Sequence, residues 1–261
     1  MALFQGNFFS KSILNNVSVN VILPLPDEGE ILAGAELERD KKYPTLYLLH
    51  GAYGDATDWI RNTRIEVYAQ KYQIAVVMAS AGNSFYMDME NGPAYGQFFE
   101  QELIDFAESV FPLSRCREDR FVTGLSMGGY GAFRLALLHP ENYAAAAALS
   151  GAFDLNMVGG FLSQGHRNAP AVYGTLTQLD SDKWNLKKLA QDAQQAGKEL
   201  PRLMMSCGTE DMTLLMNRAL KADFEALGIE VHYEEHPGDH NWDYWETHIQ
   251  RVLAWLPLKK K

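Results

Sequence analysis

The residues best suited to chemistry in this chain lie in Gly124-Leu125-Ser126-Met127-Gly128, a serine with glycine two places away on either side. A serine hydroxyl is a poor nucleophile unless it is held clear of its surroundings and beside a base. A G-x-S-x-G turn between a strand and a helix does the holding. It puts the serine into a sparsely populated backbone conformation, and the glycines leave room for the sharp bend. The flanks have the required form, with apolar Phe121-Val122 before the turn and a long apolar helical pattern from Tyr130 to Leu138 after it. The first N–H groups of that helix point at the same spot, so the N–H of Met127 is expected to stabilise a developing oxyanion.

Acyl transfer at Ser126 needs a second oxyanion donor, a base and an acid. The apolar run Tyr43 to Leu49 ends in His50-Gly51, and a glycine there lets the backbone turn so that the following N–H, that of Ala52, faces the site. Of seven histidines, His240 is favoured as base because Gly238-Asp239-His240-Asn241-Trp242 lies between the last strand and the last helix; His236 is the alternative. The acid is assigned to Asp211, which follows the apolar run Leu203 to Cys207 and the turn Gly208-Thr209-Glu210, with Glu210 and Asp154 as alternatives. Serine, acid and histidine thus follow one another along the chain. This chemistry calls for no metal and no cofactor.

These parts require elements to carry them. Val17, Val19, Val21 and Leu23 alternate with other residues, which reads as an early antiparallel strand or hairpin, and 27–42 reads as a loop. Short apolar runs at Tyr43–Leu49, Ile74–Ala79, Phe121–Leu125, Ala144–Leu149 and Leu203–Cys207 have the form of strands buried on both faces. Helical spacing separates them at 57–72, 98–111, 130–138, 186–196 and 214–227, followed by a last strand at Ile229–Tyr233 and a terminal helix at 242–256. Alternation of this kind predicts an α/β fold with a mostly parallel sheet and helices on both faces, and a site at the carboxyl ends of the strands. Residues 155–184 have no clean period and read as an inserted lid or pocket segment. Trp59, the loop residues Phe85, Tyr86 and Tyr95, and Trp242 are candidates for the substrate pocket.

At 261 residues and 47% hydrophobic content the chain can bury one large core, so a single domain spanning 1–261 is expected. Its net charge of -10, with no basic cluster but the Lys259–Lys261 end, disfavours nucleic acid as a partner. No apolar run is long enough to span a bilayer, no signal-peptide pattern opens the sequence, and two cysteines make no disulfide framework. A cytoplasmic protein acting on a small-molecule ester is the expectation, and exposed aromatics leave a homo-oligomer open.

With these positions assigned, the chain resembles the tributyrin esterase family, within the esterase D-like and feruloyl/acetyl-xylan esterase group of α/β-hydrolases. Leu48-Leu49-His50-Gly51, Gly124 to Gly131, Cys207-Gly208-Thr209-Glu210-Asp211 and His240 to Glu246 carry the resemblance, in that order. The resemblance implies an α/β-hydrolase fold and hydrolysis of short-chain acyl esters, including acetylated or feruloylated sugars in some members. It also implies Ser126 as nucleophile, Asp211 as acid, His240 as base, and Ala52 and Met127 as oxyanion donors. Two other activities fit the same residues: a thioester hydrolase of the S-formylglutathione type, and a catalytically silent binding protein of the same fold.

Overall fold

The fold is built around the strand that leads into Gly124-Leu125-Ser126, each of whose residues is buried. The computed structural model describes residues 1–38, 40–89, 92–155 and 184–259. Their strands are β1 (Ala2–Ser10), β2 (Asn15–Leu23), β3 (Thr45–Leu49), β4 (Ala75–Ala79), β5 (Arg120–Leu125), β6 (Ala145–Leu149), β7 (Arg202–Gly208) and β8 (Val231–His236). They form one sheet in the order β1-β2-β4-β3-β5-β6-β7-β8. The first two joins are antiparallel and the rest parallel. This is the α/β-hydrolase architecture that the sequence predicts.

Because side chains alternate across a strand, each buried strand feeds two cores. Leu49, Val77, Val122 and Ala148 join one; Leu46, Leu48, Val76, Phe121 and Ala147 join the other. The elbow helix Met127–Leu138 packs on the first face with nearly every residue buried. It sits close because β6 is a run of alanines: a side chain at Gly129 would lie 3.2 Å from the Ala148 Cβ. The terminal helix Trp242–Trp255 covers the second face through Tyr244, Trp245, Ile249, Val252 and Leu253.

Differences from the predicted elements have local causes. The segment 27–42 contains a short helix, Glu28–Leu32, whose start is a capping box: Asp27 accepts from the Glu30 N–H, and the Glu30 carboxylate accepts from the Asp27 N–H. The helical stretch after Thr57 is two helices, Asp58–Asn62 and Ile65–Tyr72, broken where Thr63 turns its hydroxyl to the Trp59 carbonyl. β1 begins at Ala2, before the alternation becomes visible, and β8 runs on to His236. Of the expected insertion at 155–184, only Leu155 and Trp184 lie within the described residues. Among those residues, no helix is long and apolar enough to cross a membrane.

One buried ion pair pins the start of the elbow strand. Arg120 donates to Glu108 Oε1 at 2.9 and 2.5 Å and to the Asn142 carbonyl at 2.9 Å. Both side chains are less than a tenth exposed, and a buried charge that loses its partner is costly. Glu108→Ala is therefore expected to lower the unfolding free energy by about 3 kcal/mol in urea titration. A loss under about 0.5 kcal/mol, the level of an exposed pair, would contradict this.

Candidate active site

Ser126 stands between β5 and the elbow helix with φ 53° and ψ -116°, a left-handed conformation that L-residues rarely adopt. Two close approaches make the turn this sharp. A Cβ on Gly124 would fall 2.4 Å from the carbonyl of Gly128, and one on Gly128 would fall 2.6 Å from the carbonyls of Leu49 and His50. Backbone bonds then hold the serine in place: its N–H donates to Leu149, and its carbonyl accepts from Tyr130 and Ala152.

His240 reaches Ser126 from the other end of the chain. Its Nε2 lies 3.0 Å from the Ser126 Oγ, and its Nδ1 lies 3.0 Å from both oxygens of Asp211. With Nδ1–H donating to the carboxylate, Nε2 is left as the acceptor for the serine proton. Burial opposes the charge on Asp211, but the hydrogen bond and charge of His240, with donors from Ser150 and Thr213, outweigh it and hold the acid at about 2. The Thr213 N–H and hydroxyl donate to Oδ1 at 2.7 and 2.8 Å.

The alternatives lie elsewhere. His236, at the end of β8, bonds Glu234 and packs against His248. Glu210 ties its turn together by accepting from the Gly238 N–H and the Thr209 hydroxyl, and Asp154 is exposed.

Gly51 presses the loop after β3 against the elbow: a Cβ there would lie 2.5 Å from the Leu125 side chain and 3.6 Å from the Ser126 Cβ. Ala52 follows it and lines the same cavity as Ser126, while Met127 opens the elbow helix. His50 braces this loop. Its Nε2 accepts from the Ala81 N–H at 2.8 Å and its Nδ1 donates to the Gly51 carbonyl at 2.7 Å, so the ring is neutral with its proton on Nδ1. The Tyr86 hydroxyl donates to the His50 carbonyl, and Asn83 accepts from the Tyr53 N–H.

A cavity of about 440 Å³ opens over Ser126 and His240, with Tyr53, Phe85, Met212, Met216, Trp242 and Trp245 among its walls and Asp58 as the one acidic residue among the described residues that line it. Of the residues expected to form a pocket, Phe85 and Trp242 line this cavity. Trp59 and Tyr86 do not reach the cavity. Trp59 is buried beneath it, donating to the Leu49 carbonyl at 3.0 Å and packing edge-on against Trp242. Tyr86 is buried with its hydroxyl on His50, and Tyr95 also stays outside the lining. Ala81, Asn83 and Tyr86 thus brace the loop after β3.

Sequence reading misses Tyr53, Asp58, Met212, Met216 and Trp245. Their one signal is adjacency, since each lies within five residues of a motif residue or of Trp59. Among the described residues, no group of three or more His, Cys, Asp or Glu side chains is gathered to hold a metal ion.

Known proteins resemble this chain in sequence and in fold. Residues 10–256 match the Esterase (putative esterase) family model. An acetyl esterase of Caldicellulosiruptor saccharolyticus is 36% identical over 98% of both chains. A fluorophosphonate-binding serine hydrolase of Staphylococcus aureus superposes with a TM-score of 0.89 at 30% identity, over 99% of both chains. The S-formylglutathione hydrolase of Staphylococcus aureus superposes with a TM-score of 0.85, also at 30% identity, over 98% of both chains.

The brace has a pH consequence. Burial lowers the pKa of His50, so an unfolded chain takes up its proton near pH 6.5 while the folded chain still resists. The contribution of His50 is therefore complete above about pH 6.5 and declines as pH falls through the lower folded value. Urea unfolding at pH 8 and pH 5 is expected to show a smaller acid-side loss of stability in His50→Gln than in the wild type. Equal losses in the two proteins would contradict a neutral His50.

Proposed function

The chain belongs to the Esterase family and is a carboxylester-hydrolysing enzyme, and from that premise we propose that Ser126, His240 and Asp211 are its catalytic triad. The observation that carries this reading is the continuous line of 3.0 Å contacts from Ser126 Oγ through His240 to Asp211. His240 Nε2 takes the serine proton as Oγ attacks the ester carbonyl. Asp211 stays ionised, fixes the tautomer and stabilises the imidazolium. The N–H groups of Ala52 and Met127 receive the oxyanion. Collapse of the tetrahedral intermediate expels the alcohol, which takes its proton from His240. Water then enters with His240 again as base, the acyl group leaves as the acid, and Ser126 is restored.

The substrate in this reading is a small ester with a short acyl group, acetyl first, and an alcohol portion that carries hydroxyls, as acetylated or feruloylated sugars do. Apolar walls of Phe85, Met212, Met216 and Trp242 suit the acyl and ring faces. Asp58 supports the hydroxylated alcohol. Asp58 lines the cavity, and its carboxylate is held by Arg61 at 3.1 Å and has room because position 54 is glycine, where a Cβ would lie 1.9 Å from Oδ2. The reading needs no metal or cofactor and takes one domain over 1–261. The free thiols of Cys116 and Cys207 are in keeping with a cytoplasmic location. A thioester substrate has support from the likeness to an S-formylglutathione hydrolase.

Hydrolysis of p-nitrophenyl acetate, butyrate and octanoate, methyl ferulate, a mono-acetylated xylose and S-formylglutathione separates these readings. The esters are expected to exceed the thioester, with acetate the fastest p-nitrophenyl ester, and Ser126→Ala is expected to lose at least about a thousandfold in kcat. Activity that survives in Ser126→Ala would overturn the triad. A preference for S-formylglutathione would replace the ester reading. Asp58→Asn is expected to lower the rate on acetylated xylose relative to p-nitrophenyl acetate by about tenfold, the worth of one hydrogen bond to a charged acceptor. An unchanged ratio would remove Asp58 from alcohol recognition.

A further inference from the structure

β1 lies at one end of the sheet and, among the described residues, has β2 as its only neighbouring strand. Edge strands are ordinarily guarded by charge, proline or a bulge, because their unpaired N–H and C=O groups are a template for a further strand. β8, at the opposite end, has two glutamates and two histidines in its six residues, and Arg251 and Arg218 hold Glu234 and Glu235. β1 has none of these guards. Its nine residues, Ala2–Ser10, include no charge and no proline, and its register with β2 is unbroken from end to end. Phe4 and Phe9 are 45% and 61% exposed, on opposite faces of the strand. Val110 is exposed next to Phe111, the ring that Phe4 touches edge-on.

Gly6, at the centre of β1, has no use within the described residues. A Cβ there would meet nothing within 4 Å, and its φ is not positive. Glycine weakens a strand interior, and it marks places where another backbone comes close. The residues around it have the same chemistry in both directions. Were two copies of β1 to pair antiparallel about Gly6, Leu3 would face Phe9, Phe4 would face Phe8, Gln5 would face Asn7, and the two glycines would meet on the axis. Apolar side chains directly opposite one another stabilise such a ladder. The Asn7 Oδ1 accepts from Ser18 at 2.8 Å, which leaves the Asn7 NH2 to donate to Gln5 of the other copy.

We propose that the β1 edge is a dimer interface, on which a second copy of this chain pairs its own β1 antiparallel with the twofold axis at Gly6. Charge selects the same occupant. Copies of net charge -10 repel one another in general, and this strand brings no charge to the meeting. Length suffices as well: at about 3.4 Å per residue the strand runs roughly 30 Å, the breadth of the roughly 800 Å² that each partner of a stable complex contributes. Three strands separate β1 from β5, so the pairing leaves Ser126 of both copies free.

Sedimentation velocity of the full chain tests this. The wild type is expected to run as a dimer at about 10 µM, tenfold above a Kd of about 1 µM. Gly6→Lys and Gly6→Glu are each expected to run as monomers, since like charges would then face each other across the axis. Their Tm should not fall and their rate on p-nitrophenyl acetate should equal that of the wild type, because the new side chain enters open space. An equimolar mixture of the two variants is expected to restore the dimer, with Lys opposite Glu. A wild type that is monomeric at this concentration overturns the proposal, even if the edge captures some other protein. So does a dimer that persists in both variants, which puts the interface elsewhere, and so does a mixture that stays monomeric.

Discussion

Ser126 can stand at φ 53° only because Gly124 and Gly128 touch across the turn and Gly128 in turn touches the end of β3. That close packing of three backbone segments is the constraint on which the site depends. It lifts the hydroxyl above the sheet and starts a helix at Met127. It also brings the loop after β3 against the serine, so that one contact region places both expected oxyanion donors. A Cβ at position 124 or 128 would have backbone as its neighbour, which has nowhere to move.

Around this point the fold distributes its roles by element. The parallel strands β3, β5, β6, β7 and β8 all deliver their carboxyl ends to one edge, where Gly51, Ser126, Ser150, Asp211 and His240 meet. Apolar burial on both sheet faces makes those ends rigid. Polar bonds then do the aiming: Thr213 on the acid, Ala81 on His50, and Tyr86 on the His50 carbonyl. Electrostatics follow from the same geometry. Asp211 remains ionised although burial disfavours it, because its donors outweigh the loss of water. Cys207, one turn away and buried, goes the other way: burial pushes its thiol up to about 12, which keeps it protonated and inert.

Much of this was legible in the residues themselves. The short apolar runs mark β3 to β7 because a strand covered on both faces has no polar side to show. Ser126, Asp211 and His240 stand out because glycine and turn chemistry surround each of them, and the reading order of serine, acid and base left few choices. What stayed hidden depends on approach between distant segments. Trp59 and Tyr86 are large aromatics beside motifs, a description that fits a pocket wall and a buried support equally; only their partners, the Leu49 carbonyl and the His50 carbonyl, separate the two. Asp58 reads as an ordinary first-turn acidic residue until Gly54 is seen to make space for it.

The central claim is that Ser126 becomes covalently acylated with His240 as its base. The most direct measurement is peptide mass analysis of enzyme stopped in acid during turnover of p-nitrophenyl acetate. The account predicts an acetyl group on the peptide containing Ser126 in the wild type, and none in His240→Ala stopped at the same time. An acetyl group on another residue, or equal acetylation of Ser126 without His240, would contradict it.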